Sequence, residues 1–127
     1  MSLPDLVIFD CDGVLVDSEI IAARVEAELL TLAGYEISAE EYAETYAGLT
    51  FKDIMMRVEA KSAIPFQASM IDRAEELVDR KLRSDVRAID GVREAVAAVT
   101  APRCVCSNSR SERIGRASCR ERVFVGV

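Results

Sequence analysis

The 127-residue chain has no histidine and no tryptophan, only three prolines and six glycines, and 6% aromatic residues. Without histidine, no mechanism can use an imidazole as base or ligand. Any chemistry must rest on carboxylates, hydroxyls, lysines or a metal. The four cysteines, Cys11, Cys104, Cys106 and Cys119, include no C-x-x-C pair. They do not spell a zinc site and read as structural thiols. No apolar stretch approaches bilayer-spanning length, and the N-terminus lacks the basic flank and long apolar run of a signal peptide. Cytoplasmic residence with no membrane partner is the expectation. The net charge of −6 argues against a nucleic-acid partner. It is compatible with a site that uses a cation to receive an anionic substrate.

What is present is a globular composition, 50% hydrophobic and 30% charged, in a length that allows one domain or a small domain with an insertion. The most informative stretch is the apolar run Leu6-Val7-Ile8-Phe9, which ends abruptly in Asp10, Asp12 and Gly13. Four apolar residues without alternation predict a strand buried on both faces, at the centre of a parallel sheet. Reactive groups in open α/β sheets sit just beyond the carboxyl ends of strands, where these two acids fall.

Four amphipathic helical stretches follow. Asp17 or Ser18 is suited to cap the first, whose apolar positions Ile21, Val25, Leu29 and Leu32 recur at helical spacing until Gly34. Ser38-Ala39-Glu40-Glu41 has the form of a capping box, and Thr50-Phe51-Lys52-Asp53 repeats the signature. Pro65 restarts the chain before a helix faced by Ile71, Ala74, Leu77, Val78 and Leu82. A turn at Asp90-Gly91, a short helix and a stop at Ala101-Pro102 lead to a second strand, Arg103 to Ser107. Eighty-odd residues of helix between two strands exceed a simple crossover, so a helical domain inserted after the first strand is expected.

The segment Asp10-Cys11-Asp12-Gly13-Val14-Leu15-Val16-Asp17-Ser18-Glu19 resembles the first motif of the haloacid dehalogenase superfamily, in the form used by its phosphatases and phosphomutases. Cys104-Val105-Cys106-Ser107-Asn108-Ser109 is similar to the second motif, and the helical insert to the cap of the β-phosphoglucomutase-like subfamily. Val99-Thr100-Ala101-Pro102 looks like the corresponding phrase of bacterial phosphogluconate phosphatases. The resemblance covers about residues 4 to 112. It implies an α/β fold, a partial Rossmann-like core of parallel strands with an inserted helical cap. The implied divisions are core at 1–16, cap at 17–88, core again at 89–112, and a non-native tail at 113–127. Within that tail, Ile114 to Val123 resembles one translated frame of a sequencing adapter.

By the family's mechanism, Asp10 would be the nucleophile that becomes an aspartyl phosphate. Asp12 would protonate the leaving alkoxide and then activate water. Both would hold Mg²⁺, Asp10 by its side chain and Asp12 by its backbone carbonyl. Ser107 and the Asn108 amide would bind phosphoryl oxygens. Glu19, Thr50 and Lys52 could face the substrate from the cap, although a solvated helix face explains Lys52 equally well. Asp12 favours phosphate-ester over halide chemistry, because an expelled halide needs no proton.

The implied substrate is a small phosphorylated metabolite, a sugar or sugar-acid phosphate. A β-phosphoglucomutase-type phosphotransferase is the alternative enzyme, and a non-catalytic phospho-acceptor of the receiver kind is the alternative of another class. The family's later lysine and acidic strand have no counterpart: no lysine follows Lys81, and Glu121 is the only acid beyond Glu112. An N-terminal fragment with little activity of its own is therefore expected. Sequence leaves the oligomeric state open.

Overall fold

The computed structural model describes residues 2–65 and 67–107. The element order is β1 (Val7–Phe9), α1 (Ser18–Leu32), α2 (Ala39–Tyr46), α3 (Phe51–Ser62), α4 (Ala68–Asp85), α5 (Val92–Ala98) and β2 (Arg103–Val105). β1 and β2 pair in parallel, with Val7 opposite Arg103, Ile8 opposite Cys104 and Phe9 opposite Val105. Val7 N–H donates to the Pro102 carbonyl and Cys106 N–H to the Phe9 carbonyl, both at 2.9 Å. The ladder thus extends one bond past the strands at each end. The chain is α/β, with helices filling the interval between two parallel strands.

The residues form two compact units, one of Met1–Glu19 with the chain from Leu82 onward, the other Ile20–Lys81. The second unit is helical throughout. Its core collects Val25, Leu29 and Leu30 of α1, Ile54, Met55 and Val58 of α3, and Ala74 and Val78 of α4, all buried. Ser38 caps α2, its hydroxyl accepting from Glu41 N–H at 3.1 Å. Thr50 caps α3 in the same way, accepting from Asp53 N–H at 3.2 Å. Both capping boxes fall where the sequence puts them. α1 ends in a left-handed turn at Gly34 (φ 102°), and Tyr35 N–H reaches back to the Leu30 carbonyl at 2.9 Å.

All three tyrosines lie in this unit. Tyr42 and Tyr46 pack edge to face, with ring centroids 5.4 Å apart. Tyr42 donates its hydroxyl hydrogen bond to the Glu26 carboxylate, and the Tyr35 and Tyr46 hydroxyls stand 3.3 Å apart.

In the first unit the two-sided burial expected for the opening strand is not found. Leu6 is 50% exposed and Ile8 60%, while Val7 and Phe9 are half-buried. The physical reason is the sheet's extent: among the described residues it has two strands, so one face of β1 has no covering layer.

Candidate active site in the loop after the first strand

The loop from Asp10 to Asp17 is wound around one carbonyl. Cys11 C=O accepts from the N–H groups of Val14 (3.3 Å), Leu15 (2.9 Å) and Val16 (3.2 Å), and Gly13 N–H donates to the Val16 carbonyl at 2.9 Å. Gly13 takes a left-handed conformation (φ 73°), which closes so tight a turn. A Cβ there would stand 2.9 Å from both Cδ and Oε2 of Glu19, so Glu19 lays its carboxylate against the loop.

The loop is anchored from outside as well. Asp17 N–H donates to the Arg87 carbonyl at 2.9 Å, and Ile89 N–H donates to that of Leu15 at 3.1 Å. Leu15 and Val16 are fully buried, as are Cys11 and Val86. Burial of two such aliphatic side chains stabilises by about 1.5–3 kcal/mol each. The apolar half of Val14-Leu15-Val16 thus pins the loop that carries the acids. The Cys11 thiol behaves as the small hydrophobe expected of a structural cysteine.

Two hydroxyls, one six positions away and one 95, meet on the Asp12 carboxylate. Ser18 Oγ donates to Asp12 Oδ1 at 2.7 Å, and Ser107 Oγ donates to Asp12 Oδ2 at 3.3 Å. Ser107 lies just past the carboxyl end of β2, as Asp10 lies just past that of β1. Parallel pairing therefore brings the two motif ends to the same edge. Asp10 is exposed, with Oδ1 accepting from Cys11 N–H at 2.7 Å, so its carboxylate is fixed yet accessible.

Ser18 differs from the sequence expectation. Read as a helix cap, it is the first residue of α1, and its hydroxyl is hydrogen-bonded to Asp12 at 6% exposure. Nothing in its spacing announces this, because a serine at a helix start reads first as a cap.

Thr50 and Lys52 belong to the other unit. Thr50 is occupied as the cap of α3, and its hydroxyl also donates to Asp53 Oδ2 at 2.6 Å. Lys52 is exposed on the first turn of that helix. Asn108, Cys119 and the 113–127 tail lie outside the described residues.

For a metal, the loop offers hard oxygen donors of the kind Mg²⁺ prefers. Among the described residues no group of three or more His, Cys, Asp or Glu side chains gathers to hold a cation. Two acids with phosphate and water oxygens fit the open coordination usual for Mg²⁺, not a closed protein cage.

The model of one known family, haloacid dehalogenase-like hydrolase, matches residues 7–112. The chain belongs to the haloacid dehalogenase-like hydrolases. Among relatives of this chain is the 6-phosphogluconate phosphatase of Escherichia coli (strain K12). It is 33% identical over 117 residues, covering 90% of this chain and 52% of that one. A conserved haloacid dehalogenase-like protein of unknown function from Agrobacterium tumefaciens strain C58 has a similar structure. Its TM-score is 0.89 at 54% identity, over 94% of this chain and 54% of the other. A hydrolase of the same family from Deinococcus radiodurans R1, solved with bound phosphate and sodium, gives a TM-score of 0.73 at 27% identity, over 94% and 53% of the two chains. The chain spans about half the length of the relatives it matches.

Proposed function

We propose that this chain carries the nucleophile-bearing part of a Mg²⁺-dependent phosphatase that hydrolyses small phosphorylated metabolites, sugar or sugar-acid phosphates, in the cytoplasm. The observation that carries the reading is the Ser107–Asp12 contact. It brings a hydroxyl donor to an acid 95 positions away, at the edge where both parallel strands end. The phosphatase and phosphate-bound relatives give the substrate class its support.

Asp10, exposed and oriented by Cys11 N–H, is the group placed to attack phosphorus as a carboxylate nucleophile. Asp12, steered by two hydroxyls, is the group to protonate the leaving alkoxide and then take a proton from water. Ser107, and Asn108 beyond the described residues, would bind phosphoryl oxygens, with Ser107 exchanging Asp12 for phosphate. Mg²⁺ held by the Asp10 side chain and the Asp12 backbone carbonyl would neutralise charge between the attacking acid and the phosphoryl group. Glu19, whose carboxylate lies against Gly13, would meet the substrate's polar end, with Thr50 and Lys52 the other candidates. We assign the core to 1–16 and 89–112, the cap to 17–88 and a non-native tail to 113–127; the compact helical unit, Ile20–Lys81, falls within the cap's bounds.

No lysine follows Lys81 to steady the nucleophile and the phosphate, so the 127-residue chain alone should turn over esters slowly. An acyl phosphate leaves without a general acid and demands less. Incubated with acetyl phosphate and Mg²⁺, the chain should gain one hydroxylamine-labile phosphoryl group, absent from Asp10→Asn. Equal labelling of Asp10→Asn would remove Asp10 from the nucleophile's role. Steady hydrolysis of 6-phosphogluconate at the Escherichia coli relative's rate would refute the slow turnover.

A further inference from the structure

Two thiols remain outside the acid site. Cys104 lies in β2 and Cys106 directly after it; both are unbridged and exposed. Extended backbone sends residues i and i+2 to the same side, about 6.6 Å apart along the strand. The backbone here is held extended, since Cys104 pairs with Ile8 and Cys106 N–H donates to the Phe9 carbonyl at 2.9 Å. Beside Cys104 the face is apolar and open, with Leu6 50% and Ile8 60% exposed, whereas the same register sets the exposed Asp10 beside Cys106.

That spacing discriminates between the two reactions open to a dithiol. A disulfide needs Cβ atoms about 3.5–4.5 Å apart, which a strand held by its ladder does not offer to same-side neighbours. Two thiolates bridged by one cation at about 2.3 Å per bond can have their sulfurs up to about 4.6 Å apart. Side-chain rotation alone brings the sulfurs that close. Thiolates are soft ligands that select soft ions, of which Cu(I) accepts two sulfurs in a line.

We propose that Cys104 and Cys106 form a two-thiolate clip for a soft monovalent cation of the Cu(I) class. The proposal does not depend on the phosphatase reading. Binding releases the two thiol protons to solvent and leaves two metal–sulfur bonds, with no change of oxidation state.

The test is anaerobic Cu(I) transfer from a chromophoric chelator to the full-length chain carrying Cys119→Ser. One Cu(I) per chain is expected, with two thiols protected from alkylation. The one-to-one complex should be lost on either Cys104→Ser or Cys106→Ser and kept in Cys11→Ser. Undiminished binding in either of the first two variants would overturn the clip. So would a Cys104–Cys106 disulfide formed under mild peroxide, because it would show that the strand does not hold the thiols apart. Circular dichroism on each variant separates loss of binding from loss of fold.

Discussion

At the scale of single residues, the acid loop depends on one buried hydroxyl. Ser18 is the only buried polar or charged residue among those described, and it spends its hydroxyl on a carboxylate 2.7 Å away. Hydrogen bonds to charged groups stabilise by about 1.5–3 kcal/mol. Ser18→Ala should therefore lower stability by about that much, read as a shift of the urea midpoint. Ser18→Thr, which keeps the hydroxyl, should restore most of it. If alanine and threonine shift the midpoint alike, the side chain's volume and not its hydrogen bond is what matters. Ser107 shares the same acid at 3.3 Å and is half-exposed. Ser107→Ala should cost less stability than Ser18→Ala, while removing the phosphoryl contact that the proposed chemistry needs.

At the scale of elements, the legible features were those written locally. Thr50-Phe51-Lys52-Asp53 and Ser38-Ala39-Glu40-Glu41 announced helix starts because the side chain and the N–H it caps lie within four residues. Thr50→Ala should cost about 1 kcal/mol, seen as a lower thermal midpoint, and Thr50→Ser far less. The parallel strands were legible as apolar runs ending in polar residues. The Ser18–Asp12 bond, the strap from Arg87 to Asp17 and the exposure of Ile8 were not legible. Each depends on which distant segment the folded chain brings alongside.

The tyrosine cluster joining α1, the following turn and α2 is another tertiary product. Burial pushes the Tyr46 phenol from 10.0 up to about 12, and the Tyr35 hydroxyl adds to the shift. Burial, with the bond to Glu26, pushes Tyr42 higher still. The folded chain therefore keeps protons on these phenols that the unfolded chain releases above about pH 10. Their contribution to stability is complete below pH 10 and is lost as pH rises through 12. The urea midpoint should fall across that window, and Tyr46→Phe should fall less steeply. Parallel decline of the two would mean that other groups govern the alkaline limb.

At the scale of the whole molecule, the described chain builds a sound helical unit and a spare sheet. The helical unit encloses most of its apolar residues, whereas β1 and β2 make a two-stranded parallel sheet with one open apolar face. Parallel strands are ordinarily covered on both faces, and two strands alone are marginal. Leu3 at 82% exposure extends the apolar surface towards the N-terminus. An open apolar face of this kind is a site for non-specific association. Light scattering by the 127-residue chain should thus rise with concentration, and the chain should bind an apolar fluorescent dye. Ile8→Lys places a charge in the middle of that face at a position already 60% exposed, so it should suppress both signals while leaving the helical circular dichroism unchanged. Leu3→Lys, farther from the strand pairing, guards against a failure of Ile8→Lys to fold. If neither lysine lowers the scattering, association runs through another surface and the open sheet face is not its cause.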